Sequence, residues 1–158
     1  MSTIASLPWL DLIGMFLALV GFSFGLGGVT IIDIHSFLGR NSPYWMEASI
    51  RTHKITKPLI WTGLACATVG SVILYRDETL SGTILVQALL LVLLAGNGAF
   101  LTFKISRPLL EQERLGKAAE LLSPHLQRTI GACFLLSFVL WWSEAVLFTW
   151  HLVMRWVN

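Results

Sequence analysis

Four apolar runs dominate this chain, at about residues 8–36, 57–75, 80–104 and 129–156. Runs of about 20 residues are long enough to cross the hydrocarbon core of a bilayer. Backbone in that core must satisfy its own hydrogen bonds, and a helix does so within one segment. The predicted fold is all-α: an integral membrane four-helix bundle in a single transmembrane domain over residues 1–158. Composition agrees, because only 13% of the residues are charged, about half the share in a soluble domain. No separate soluble domain fits, and a net charge of +2 is too small to point to nucleic acid. The start, MSTIASLPWLDL, lacks a basic n-region, so the first run reads as a retained helix and not a cleaved signal.

Charge sets the expected orientation. Arg40, Arg51, Lys54 and Lys57 lie in or beside the first connection, and Lys104, Arg107, Arg114, Lys117 and Arg128 border or occupy the third. These are nine of the eleven Lys and Arg residues, with only Arg76 and Arg155 at the other end. The positive-inside rule then predicts cytoplasmic basic loops and both termini outside, in a bacterial inner membrane. Trp9, Trp150 and Trp156 would form the outer aromatic belt, and Trp45 and Trp61 would lie near the inner one. Pro8, Pro58 and Pro124 read as helix entries, and Pro108 as the end or a kink of the third span. LLEQERLGKAAELL, in the third loop, has helical periodicity and predicts a short interfacial helix. The tight Arg76–Thr79 link predicts that spans two and three are antiparallel neighbours.

Helical spacing gathers the small and polar residues into faces. Gly14, Gly21, Gly25, Gly28, Ile32, His35 and Gly39 share a narrow sector of the first helix, and Gly63, Ala67 and Gly70 a stripe of the second. Such rows permit close helix packing, or leave a groove for a flat cofactor or lipid tail. On the fourth span, Cys133, Ser137, Leu140, Glu144, Phe148, His151 and Arg155 share one face. Glu144 is the most informative of them. An ionised, unpaired carboxylate at that depth costs several kcal/mol, so such residues are neutral, paired or functional. Registering the helices by depth predicts a shallow layer of Asn97, Ser137, Thr62 and Cys66. Glu144 comes level with Gln87, Ser71 and Tyr75, and His151 and Arg155 with Asp11. Glu144–Gln87 and Asp11–Arg155/His151 are the expected contacts.

Cys66 and Cys133 lack CxxC spacing and read as buried free thiols. The sequence holds no HExxH, Walker A, GxGxxG or CxxCH motif, so soluble-type enzyme chemistry is not expected. His35, His53 and His125 map to the basic end. One bis-histidyl b-type haem, from His35 with His53 or His125, is compatible with that placement. The competing reading is that of harmless histidines at helix ends.

GLGGVTIIDIHSFLGR (25–40), SIRTHKITKPLIWTGLACATVGSVILY (49–75), GNGAFL (96–101) and SFVLWWSEAVL (137–147) occur in an order that resembles small four-helix bacterial membrane proteins. These are distantly similar to the copper-resistance D and HemJ-type membrane families. The resemblance implies a four-helix architecture and a redox or metal leaning. Where haem-associated relatives carry a histidine near the start of the first helix, this chain has Trp9 and Asp11, and no catalytic residue carries over. Three functions stay open. One is a redox- or cofactor-associated subunit of a larger complex, engaged in electron transfer, with Glu144 facing haem, quinone or a proton path. Another is a structural or assembly subunit, packing against other membrane subunits or its own copies through the glycine rows. The third is a small proton or metal transporter using Glu144, His151 and Asp11.

Overall fold

The computed structural model describes residues 8–157, apart from the side chains of Pro8 and Trp156. The first seven residues and the belt assigned to the Trp156 side chain lie outside the described residues. The elements are α1 (Pro8–Gly39), α2 (Pro43–Leu74), α3 (Gly82–Phe100), a π-helical segment (Leu101–Ile105), α4 (Ser106–Arg114) and α5 (Pro124–Val157). Four stretches are long and apolar enough to cross a membrane: Trp9–Gly39, Pro43–Leu74, Gly82–Arg114 and Pro124–Arg155. The chain is a multi-pass membrane protein by helix length and apolarity. Large apolar side chains such as Phe16, Val72, Leu89 and Leu135 stay exposed on the outer faces, as a hydrocarbon solvent requires and water would not.

Three boundaries differ from the sequence expectation. The first connection shrinks to residues 40–42, because Pro43 opens α2 and residues 43–56 are helical. Pro58 therefore lies inside α2 and not at its entry, where its missing N–H removes one helical bond. The segment expected to be a helix over 109–122 starts at Ser106 and stops at Arg114. Gly116 ends it with φ 71°. The Lys117 N–H bonds to the Gln112 carbonyl and the Gly116 N–H to that of Glu113, the paired closure that a left-handed glycine permits. Pro108 neither ends nor simply kinks the third span. The helix widens through the π segment just before it, where a proline ring would otherwise press on the preceding turn.

The closest helix pair is α1 with α2, which run antiparallel with their small residues interlocked. A Cβ added to Gly63 would lie 2.6 Å from the Gly25 nitrogen, and one on Gly70 2.6 Å from that of Ala18. One on Gly21 would strike the Ala67 backbone. Backbones this close gain dispersion contacts over a long seam, the main source of helix association where lipid competes for apolar surface. The glycine row is therefore filled by α2, and by Trp141 over Gly25. It is not an open groove. Helix α5 packs on α1 and α3, whereas α2 touches α3 only lightly. The expected α2–α3 pairing gives way because α1 offers α2 a closer fit than the Leu- and Val-rich α3 can.

Two apolar cores result. One joins Ala18, Phe22, Leu64, Ala67, Trp141 and Phe148 in mid-bundle. The other joins Met46, Ile50, Ile105, Leu109, Leu122 and Ile130 at the end that carries the basic residues.

Candidate functional site

The face of α5 that carries Glu144 turns inward. Ser137, Leu140, Trp141, Glu144 and Phe148 are buried, and Glu144 has no exposed surface at all. Gln87 of α3 and Ser71 of α2 are buried as well. Tyr75, which closes α2, lies within electrostatic reach of the Gln87 amide and the Glu144 carboxyl. Both Glu144 oxygens, both Gln87 amide atoms, Ser71 Oγ and Tyr75 Oη are buried without a well-formed hydrogen bond to any described residue. An unmade hydrogen bond costs about 1–3 kcal/mol for each neutral group left dry, so this layer calls for partners that the described residues do not supply. The Gln87 and Tyr75 groups sit within electrostatic reach of one another, yet they lack the geometry of a strong bond.

The shallower polar layer behaves differently. Asn97 Nδ2 donates to Ser137 Oγ and to the Cys133 carbonyl, both at 2.8 Å. This tie is structural: it pins α3 to α5. Thr62, expected in the layer, is exposed, and Cys66 is half-buried. The rotation of α2 is set by its Gly63–Ala67–Gly70 seam, which turns Thr62 outward and sends the neighbouring Trp61 Nε1–H to Thr102 Oγ1 at 3.2 Å.

Beyond Glu144, toward the α2–α3 connection, lies an ion-pair network. Asp11 pairs with Arg76 at 2.7 Å and more loosely with Arg155 at 3.9 Å. His151 does not pair with Asp11; its Nε2 lies 2.7 Å from Glu78 Oε2. Arg155 donates to the Leu74 carbonyl at 2.9 Å and lies 3.8 Å from Glu78. The His151 ring stands edge-on to Tyr75, with centroids 4.5 Å apart. Trp9 and Trp150 are exposed at this end.

At the opposite, basic end the second core borders a half-open cavity of about 540 Å3, within the range of small-ligand sites. Ile32, Ile50, Leu109, Ile130 and Phe134 wall it, and Arg40 and Arg128 stand at its exposed edge. Asp33, Ser36, Ser49 and His53 also line it, with Ser36 and Ser49 joined at 3.0 Å. Asp33 Oδ1 is buried without a partner among the described residues. The π segment contributes Leu101 and Ile105 to the wall. Single π turns inside α-helices recur at functional sites. A smaller cavity of about 50 Å3 adjoins it and reaches Ser137 and Trp141, with His53 lining both. Ser106 donates its hydroxyl proton to the Leu101 carbonyl at 3.1 Å, so at 2.6 Å it accepts from His53 Nε2–H. The bond network thus assigns the ring proton to Nε2 and leaves Nδ1 as an acceptor.

The histidines do not assemble an axial pair for haem. His35 Nδ1 is engaged by Thr52 Oγ1 at 3.1 Å, with its ring tilted 35° against that of Trp45. His125 is exposed at the start of α5. Of the described histidines only His53 lines the cavity, and its Nε2 is taken by Ser106. Among the described residues no group of three or more His, Cys, Asp or Glu side chains is arranged to hold a metal ion.

Asp33, Ser106, Arg76 and Glu78 escaped the sequence reading as site residues. Asp33 carried a usable signal, since it is an acid inside an apolar run, as Glu144 is. Glu78 and Arg76 sit in a short polar turn whose contacts depend on where α5 ends. Ser106 becomes conspicuous only through the π segment. Compared with family models, with curated proteins and with solved structures, the chain matches none.

Proposed function

We propose that this polytopic membrane protein binds an amphipathic lipid-type ligand with an anionic head in the cavity at its basic end. The observation that carries the reading is the cavity itself: a half-open, mainly apolar-walled space of about 540 Å3, with Arg40 and Arg128 at the edge. The acyl or isoprenoid part would lie against Ile50, Ile130 and Phe134, and the head would meet the two guanidinium groups. Under the positive-inside rule this end is cytoplasmic, in a bacterial inner membrane, with both termini outside. The interlocked glycine seam weakens the assembly-subunit reading, because those glycines already serve α1 and α2.

Gly131 offers a clean test. It lines the cavity, and a Cβ there would meet nothing within 4 Å. Native mass spectrometry of the detergent-released protein should show a retained acidic lipid that Gly131→Phe loses while the fold persists. Each arginine contributes about 1 kcal/mol toward an anionic head, so Arg40→Gln/Arg128→Gln should weaken binding of added phosphatidylglycerol roughly tenfold or more. A wild type that retains no acidic lipid and does not bind the added one would overturn the reading.

A second reading, a redox-associated subunit that holds a quinone, is favoured by Asp33 and the His53–Ser106 pair inside the same apolar cavity. A co-released quinone in place of an acidic lipid would select it. The resemblance to the copper-resistance D and HemJ-type families would go with this second reading, but the histidine arrangement lends haem no support.

A further inference from the structure

We propose that Glu144 exchanges protons with the aqueous phase beside the α2–α3 connection, through a water-bridged path over Tyr75, His151 and Glu78. This inference rests on the polar layer in mid-bundle and is independent of what the basic-end cavity holds.

The first observation is the set of buried, unpartnered atoms. Glu144, Gln87, Ser71 and Tyr75 present six such atoms from three helices at one level. Buried polar groups in folded proteins are nearly always satisfied by protein or by ordered water. Apolar cavities stay dry, whereas polar ones with several converging donors and acceptors hold water. Carboxyl, amide and two hydroxyls together supply the two to four partners that each water needs.

The second observation is continuity to the surface. From Glu144 to His151 is seven residues on one face of α5, about 10 Å along the axis, which is too far for direct transfer. Tyr75 stands within that gap, in electrostatic reach of Glu144 and with its ring centroid 4.5 Å from that of His151. His151 then meets Glu78 at 2.7 Å. Glu78 lies in the turn between α2 and α3 and keeps about a quarter of its side chain exposed (24%). Protonatable side chains in such chains mark proton relays in membrane proteins.

The surroundings of the path are otherwise neutral or already committed. Helix α1 brings Ala18 and Phe22 to the level of the layer, and its acid at this end, Asp11, is held by Arg76. Helix α3 brings only Gln87. Tyr75 is faced by Glu144, Glu78 and Arg155, together with His151. On the far side, Trp141 and the Asn97–Ser137 tie separate Glu144 from the cavity. Among the described residues the polar groups thus lead from Glu144 toward the α2–α3 connection. The transfer balances simply. A proton taken up at Glu78 or His151 passes to water and the Tyr75 hydroxyl, which releases one as it gains one. The Glu144 carboxylate becomes the acid, and the reverse returns it.

The test is infrared spectroscopy after a pH jump on the full-length protein, with the Glu144 signal identified by its loss in Glu144→Gln. In the wild type this signal should follow the buffer. Tyr75→Phe, which keeps the ring, and Glu78→Gln, which keeps the shape, should each slow it by an order of magnitude, while Asn97→Ala leaves its rate unchanged. Equal rates in the wild type and both relay variants would overturn the proposal. So would a Glu144 that never responds to pH, or a rate slowed only by Asn97→Ala.

Discussion

Asn97 and Tyr75 carry polar groups in the same bundle, yet they have opposite energetic roles. The Asn97 amide makes two 2.8 Å bonds to α5, whereas the Tyr75 hydroxyl makes none that is well formed with any described residue. Replacing Asn97 by Leu should cost about 1–2 kcal/mol, the net worth of two hydrogen bonds. Tyr75→Phe removes a hydroxyl that makes no well-formed bond to any described residue, so it should cost less than Asn97→Leu. Unfolding titrations in mixed detergent micelles would measure both. A large loss for Tyr75→Phe would make that hydroxyl structural. Glu144 was conspicuous in the sequence because hydrocarbon penalises a carboxylate wherever its helix turns. Its company was less legible, since the Tyr75 side chain is aimed by the end of α2 and not by any periodicity of α5.

The helices divide by how near their backbones come. Gly63→Ala places a methyl about 2.6 Å from the Gly25 backbone nitrogen, so the α1–α2 seam must open, at about 1–3 kcal/mol by the usual cost of overpacking. Gly27, Gly96 and Gly131 meet nothing within 4 Å, and alanine there should be neutral or slightly stabilising in the same titration. Gly116 is different again. Its φ of 71° makes alanine unfavourable by about 1–2 kcal/mol, the left-handed penalty, without any clash. The seam was partly legible, as two rows of small residues at helical spacing. That the rows face each other was not, because periodicity reports a helix's own face and says nothing of which neighbour lies against it. The end of α4 at Arg114 also followed from a backbone angle, overriding an apolar pattern that runs on to Leu122.

For the whole molecule, charge asymmetry predicts that Lys117 lies inside and Thr79 outside. With Cys66 and Cys133 replaced by alanine, a membrane-impermeant maleimide added to intact cells should label Thr79→Cys and spare Lys117→Cys. The reverse pattern would invert the bundle, and with it the side from which Glu144 takes its protons. The sequence alone determined that the chain is helical, has four stretches long and apolar enough to cross a membrane and carries an acid in the last of them. Those properties follow from length, apolarity and the cost of desolvating backbone and charge, all local quantities. Tertiary structure decided which helices touch, that Arg76 and Glu78 join Asp11, His151 and Arg155, and that Asp33 and His53 share a cavity. The decisive physics was steric: glycine and alanine let α2 approach α1 more closely than any other pair. That one contact rotates α2, turns Thr62 outward and leaves Tyr75 within electrostatic reach of Glu144.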